Sequence, residues 1–241
     1  MTLNIKGKVA VVTGAGRGIG RAICVALSQA GATVVAVART TEQIEAVASE
    51  IIGDGGKAIA IRADIAEESD VGALFDQLKE RFGRLDVLIN NAGLGRFGPV
   101  EAFSAADFDQ VVAVNLRGAF LCCQHATRMM IAQRDGYIIN ISSVVGFKGY
   151  PNQSAYTAAK HGVMGLTKSL AVELQKHGIR VSAVLPGGVD TDMVRAARPD
   201  LDPSVLMQPE DVAQAVMYLL SLSDRAAVDQ IYIRRRGSQP F

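Results

Sequence analysis

Tyr156 and Lys160 stand four residues apart in the segment SAYTAAKHGVMGL, which has helical periodicity. That spacing puts both side chains on one helix face, their β-carbons about 6 Å apart. A phenol ordinarily loses its proton near pH 10, and a neighbouring ammonium favours the phenolate. Bringing it to about 7 takes roughly 4 kcal/mol of preferential phenolate stabilisation, at about 1.4 kcal/mol per unit. A pair so tuned passes a proton to or from an oxygen, the need when a carbonyl and an alcohol interconvert. By itself the pair is common and usually means nothing, so its surroundings decide. Upstream, Ser142 and Ser143 close an apolar strand. Successive strand side chains point oppositely, so only one of the two faces a ligand.

The elements that must position these groups are legible along the chain. The runs KVAVVTG, ATVVAVA, KAIAIRA, DVLINNAG, GYIINISS, IRVSAVLPG and DQIYI are apolar nearly throughout, as strands covered on both faces are. Amphipathic stretches separate them. Ile19, Ile23, Leu27 and Ala30 form one stripe ahead of Gly31; Val71, Leu74, Phe75, Leu78 and Phe82 form another ahead of Gly83. This alternation predicts an α/β fold: a single-domain, doubly wound (Rossmann-type) parallel sheet of about seven strands, helices on both faces, over residues 1–241.

The first strand runs into Gly14-Ala15-Gly16-Arg17-Gly18-Ile19-Gly20, where a helix begins. Glycines allow a tight turn and close approach of a pyrophosphate to the helix N-terminus. The second strand ends Ala38-Arg39-Thr40, without the carboxylate that accepts bonds from an adenosine ribose in NAD users. Arg39, and Arg17 within the turn, suit a 2′-phosphate instead, each charge-assisted contact contributing about 1.5–3 kcal/mol. NADP(H) is the expected cofactor, although an arginine is more often a solvated surface charge.

The glycine spacing T-G-x-x-x-G-x-G resembles the short-chain dehydrogenase/reductase family, and further motifs follow in order: Asp64, then Asn90-Asn91-Ala92-Gly93, Asn115, Ser142-Ser143, Tyr156-x-x-x-Lys160 and Pro186-Gly187. The pattern is most similar to β-ketoacyl-carrier-protein reductase-like members and covers roughly the first 190 residues. The resemblance implies NADPH-dependent carbonyl reduction with Ser143, Tyr156, Lys160 and Asn115 as the catalytic set. Ser143 polarises the carbonyl and Tyr156 donates the proton. Lys160 also bonds the nicotinamide ribose, and the Asn115 backbone holds a water near Lys160. The implied cofactor site takes in Gly14, Gly16, Arg17, Gly18, Ile19, Gly20, Arg39, Asp64, Ile65, Asn91, Ala92, Gly93, Tyr156, Lys160, Pro186, Gly187, Val189 and Thr191. A substrate lid is expected at about 188–209, shorter than in typical members, and the tail AAVDQIYIRRRGSQPF departs from the usual ending. Members commonly form dimers and tetramers, so a homo-oligomer is implied. Alcohol oxidation of a sugar, steroid or small alcohol, and a non-catalytic dinucleotide sensor, remain alternatives.

Bulk properties bound the rest. With 241 residues, 49% hydrophobic and 20% charged, the chain can bury one large core. A net charge of +1 gives no electrostatic case for nucleic acid or an anionic membrane. The absence of a spanning stretch or signal-like start makes cytoplasmic the expectation. Three cysteines without paired spacing read as small buried residues. His125 near Cys122 makes no metal site, so none is expected. Arg234-Arg235-Arg236 reads as a solvated or subunit-bridging run.

Overall fold

Each expected apolar run becomes a strand. The computed structural model describes residues 5–197 and 202–239. Its strands are β1 (Val9–Thr13), β2 (Thr33–Ala38), β3 (Lys57–Arg62), β4 (Val87–Asn90), β5 (Gly136–Ile141), β6 (Ile179–Pro186) and β7 (Gln230–Ile233). All pair in parallel, in the order β3-β2-β1-β4-β5-β6-β7. The departing tail still supplies the edge strand β7, with Leu185 opposite Tyr232.

The helices are α1 (Gly18–Gln29), α2 (Thr41–Gly53), α3 (Glu68–Phe82), α4 (Ala105–Val112), α5 (Gly118–Gln133), α6 (Ser154–Gln175), α7 (Asp192–Ala197) and α8 (Pro209–Ser221). Ile23 and Leu27 of α1, Ile44 of α2 and Leu219 of α8 fill one face of the sheet. Leu74 and Leu78 of α3, Met130 of α5 and Leu174 of α6 fill the other. Full burial of such side chains contributes about 1.5–3 kcal/mol each. Cys24, Cys122 and Cys123 lie unbridged in these cores. Burial pushes all three thiols well above their usual range. Among the described residues, no helix is long and apolar enough to cross a membrane.

Strand order reverses between β1 and β4, which are hydrogen-bonded neighbours although β2 and β3 intervene in sequence. Loops leaving two such strands diverge to opposite faces and open a crevice at the carboxyl edge. The chemically interesting residues gather there.

Candidate active site

The turn between β1 and α1 is built of backbone at close quarters. Gly14 has φ +64, and a β-carbon there would lie 2.7 Å from Ala92 Cα. A β-carbon on Gly20 would collide with the Gly14 carbonyl and stand 2.6 Å from Asn91 Nδ2. Only hydrogen fits at either position. Asn91 spans β1 and β4: its amide donates to the Thr13 and Gly14 carbonyls at 2.9 and 3.1 Å. Thr13 Oγ1 accepts from the backbone of Asn91 and Ala92 at 3.0 and 3.1 Å. The sequence-predicted residues Gly14, Gly16, Arg17, Gly18, Ile19, Gly20, Asn91, Ala92 and Gly93 thus line one cleft of about 460 Å³.

The same cleft is lined by Ser143, Tyr156 and Lys160. β5 delivers the two serines and α6 the other pair. The serines separate as alternation requires. Ser142 is buried, its hydroxyl donating to the Lys160 carbonyl at 3.3 Å, while the Ser143 hydroxyl accepts from the Val145 N–H at 3.4 Å at the cleft wall it shares with Tyr156. Lys160 is buried too; its Nζ donates to the Ile141 carbonyl at 2.9 Å and lies 5.6 Å from the centre of the Tyr156 ring.

Acidity departs from the sequence-based expectation. Burial pushes Tyr156 up to about 12, against the Ser143 hydrogen bond, and pulls Lys160 down to about 8. Desolvation disfavours the phenolate and the ammonium alike. In this protein environment it outweighs the attraction between them.

Asn115 does not sit within regular helix. Residues Ala113–Arg117 form a π-turn between α4 and α5, in which the Gly118 N–H donates to the carbonyl of Ala113, five residues back. Its buried side chain grips the loop after β4, donating to the Leu94 carbonyl at 2.8 Å and accepting from the Leu94 N–H at 3.3 Å. The same amide takes the Val111 carbonyl at 2.9 Å, diverting an acceptor of the helix. Such π-bulges frequently mark functional sites.

A polar chain behind the site was not foreseen. Asn90 Nδ2 donates to Asn140 Oδ1 at 2.9 Å, Asn140 Nδ2 to Thr167 Oγ1 at 2.9 Å, and Thr167 Oγ1 to the Val163 carbonyl at 2.7 Å. Wholly buried, it ties β4 and β5 to α6 and so fixes the helix bearing Tyr156 and Lys160. The signal was available: asparagines inside apolar strands need partners.

Arg39 and Arg17 line the cleft, each beside a carboxylate. Arg39 is 3.6 Å from Asp64 and Arg17 is 2.6 Å from Asp192. Asp64 Oδ1 also accepts from the Ala66 N–H at 3.0 Å, shaping the turn that holds Ile65. On the far side Pro186, Gly187, Val189 and Thr191 complete the wall. The expected lid begins here, pinned where the Met207 N–H donates to the Gly188 carbonyl and the Asp190 N–H to that of Met207. Residues 198–201 of that lid lie outside the described residues. The arginine run is partly self-occupied: the Arg234 guanidinium donates to the carbonyls of Arg235, Arg236 and Ser238.

Comparison with known proteins identifies the family. Residues 8–202 match the family model for short chain dehydrogenase. The chain is 43% identical over 218 residues to a 3-oxoacyl-[acyl-carrier-protein] reductase of Synechocystis sp., covering 88% of each chain. It is 41% identical over 205 residues to levodione reductase of Leifsonia aquatica, covering 84% of this chain and 77% of the relative. Among solved structures, a metagenomic short-chain oxidoreductase in complex with NADP superposes with a TM-score of 0.86 at 37% identity, covering 99% of this chain and all of that one (100%). The chain belongs to the short-chain dehydrogenase family.

Proposed function

We propose that this protein reduces a carbonyl compound to an alcohol with NADP(H). One observation carries the reading: Ser143, Tyr156 and buried Lys160, one helical turn on, line the same cleft as the glycine turn and both arginines. The residues fit a phosphorylated dinucleotide. Gly14 and Gly20 leave a cradle that any β-carbon would fill, at the N-terminal end of α1. Arg17 and Arg39 are the guanidiniums placed for a 2′-phosphate, where a carboxylate alone would repel it. Asp64 and Ile65 flank the adenine end, while Asn91, Ala92 and Gly93 form the middle of the site. Pro186, Gly187, Val189 and Thr191 face the nicotinamide end. When bound, the cofactor supplies the hydride.

The chain's own groups do the rest. Ser143 donates a hydrogen bond to the substrate oxygen and orients it. Tyr156 gives its proton to that oxygen as negative charge develops there. A phenol near 12 holds its proton throughout the neutral range, so the donor form is the resting form. Reduction is the assigned direction because a phosphorylated nicotinamide cofactor usually drives reduction rather than alcohol oxidation. Lys160 orients the ribose and supplies positive charge, and Asn115 positions the loop facing them. The same family carries over a small-molecule carbonyl substrate, with a 3-oxoacyl thioester among the candidates. It also carries over a cytoplasmic homo-oligomer and a lid over 188–209.

The test is Tyr156→Phe. Wild type should oxidise NADPH in the presence of a suitable ketone. The variant should lose turnover by at least about a hundredfold, within the range that acid–base groups contribute, with NADPH affinity nearly unchanged by fluorescence titration. Full activity in the variant removes Tyr156 as proton donor.

A further inference from the structure

The loop after β4 is held from several sides. Beyond the grip of Asn115 on Leu94, the Arg96 guanidinium pairs with Asp107 at 3.0 Å and donates to Gln110 Oε1 at 2.7 Å, both on α4. The Gly98 N–H donates to the Asn152 carbonyl at 2.9 Å, joining this loop to the one that precedes α6. Asn152 has φ +64, a left-handed conformation that asparagine tolerates better than most residues. At Gly95 a β-carbon would stand 2.7 Å from Phe97 Cζ and 2.9 Å from Met193 Cγ, so two side chains converge where this glycine has none.

These restraints place the Phe97 ring on the ring of Tyr156 in a T-shaped contact, centroids 5.8 Å apart at 74°. Leu94 and Phe103 pack in the same apolar cluster as Tyr156. Leu94 and Met193 line the cleft, the latter reaching in from α7, and Phe97 backs the Tyr156 ring beside them. The nearest cation on the loop, Arg96, is turned to α4 and engaged there. A hydroxyl pressed against the Phe97, Leu94 and Met193 side chains would lose water without gaining a hydrogen bond from them, a cost, whereas a methylene gains by burial there.

We propose that Phe97, with Leu94 and Met193, is the specificity-determining wall of the substrate site. It selects ketones bearing an alkyl chain or hydrocarbon ring beside the carbonyl over polyhydroxylated ones. The inference rests on carbonyl reduction at Tyr156 and narrows its substrate class.

The experiment compares kcat/KM for ethyl 3-oxohexanoate and for erythrulose, an open-chain polyhydroxy ketone, in wild type, Phe97→Ala and Phe97→Leu. Wild type should prefer the keto ester by at least about tenfold, the scale a methylene or two commands in an apolar pocket. Phe97→Ala should cut that ratio about tenfold or more, and Phe97→Leu should keep most of it. NADPH affinity, read by fluorescence, should stay within about twofold in both. Equal wild-type rates on the two ketones overturn the proposal. So does an equal loss on both in Phe97→Ala, which would make Phe97 a positioning residue for Tyr156 alone. If Phe97→Ala does not fold, the wild-type ratio and Phe97→Leu still decide. Wild type that reduces neither ketone also overturns the proposal; if it binds NADPH and reduces no member of a wider carbonyl panel, carbonyl reduction itself fails, an outcome separate from loss of selectivity.

Discussion

Raising the pH from 7 to 10 should stabilise the wild-type fold relative to Lys160→Met by about 2.5 kcal/mol. Lys160 is fully buried, and burial brings its ammonium down from 10.5 to about 8. The sign follows from proton counts. Between about pH 8 and 10.5 the unfolded chain holds a proton at this lysine that the folded chain has released, so unfolding becomes less favourable as pH rises. The desolvation penalty is therefore present in full below about 8 and is relieved by about 10.5. Integrating this linkage over the assay window, at about 1.36 kcal/mol per unit, gives the 2.5 kcal/mol. Methionine has similar bulk and does not titrate. The Ile141 carbonyl that Lys160 Nζ engages loses its donor in the variant at every pH, so that loss offsets the two curves without tilting them. Urea unfolding of both proteins at pH 7, 8, 9 and 10 measures the difference curve. A curve flat to within about 0.5 kcal/mol would mean that the ammonium is not desolvated in the fold. The variant should also be inactive. A buried group that costs stability at neutral pH is characteristic of a site under functional demand.

Two further outcomes bear on the cofactor end. Arg39→Ala should weaken NADPH about tenfold while leaving NADH nearly unchanged; the low end of the charge-assisted range applies because Arg39 is exposed and already shares Asp64. An unchanged NADPH/NADH ratio in steady-state kinetics removes Arg39 from phosphate recognition. Gly20→Ala should cost about 1–3 kcal/mol or more by overpacking against the Gly14 carbonyl and Asn91, and should lose dinucleotide binding. Gly72→Ala, with open space around it within α3, should instead stabilise the fold by up to about 1 kcal/mol. Thermal melts showing the two glycines equally tolerant would contradict the cradle.

The fold was legible because buried parallel strands write themselves as unbroken apolar runs, and because glycines stand where α1 and α3 stop. Ser143 was separable from Ser142 through strand alternation joined to family resemblance, and the Ser142 hydroxyl does turn away, to the Lys160 carbonyl. The π-turn at Asn115 was not legible. The residues Ala113–Arg117 continue the helical pattern of their neighbours, and what breaks the helix is a tertiary demand, the backbone of Leu94. The Asn90–Asn140–Thr167 chain was hidden for a like reason, since its partners come from β4, β5 and α6 and meet only once the sheet is assembled. The carboxylates beside Arg17 and Arg39 are equally remote: Asp192 opens α7, and Asp64 follows β3.

Acidity shows the limit most sharply. Reading Tyr156 with Lys160 from spacing counts the attraction between a phenolate and an ammonium and leaves out desolvation, because spacing carries no measure of burial. In the folded protein Lys160 is buried against β5 and Tyr156 is half-buried beside Leu94 and Phe97, and the omitted effect is the larger one for each. The consequence is chemical. A phenol raised to about 12 keeps its proton at neutral pH, so Tyr156 rests in the form that can protonate an alkoxide. The apolar flank around Phe97 that we propose selects the ketone also bears on that resting form. Opening it should raise the phenolate population along with the tolerance for polar ketones.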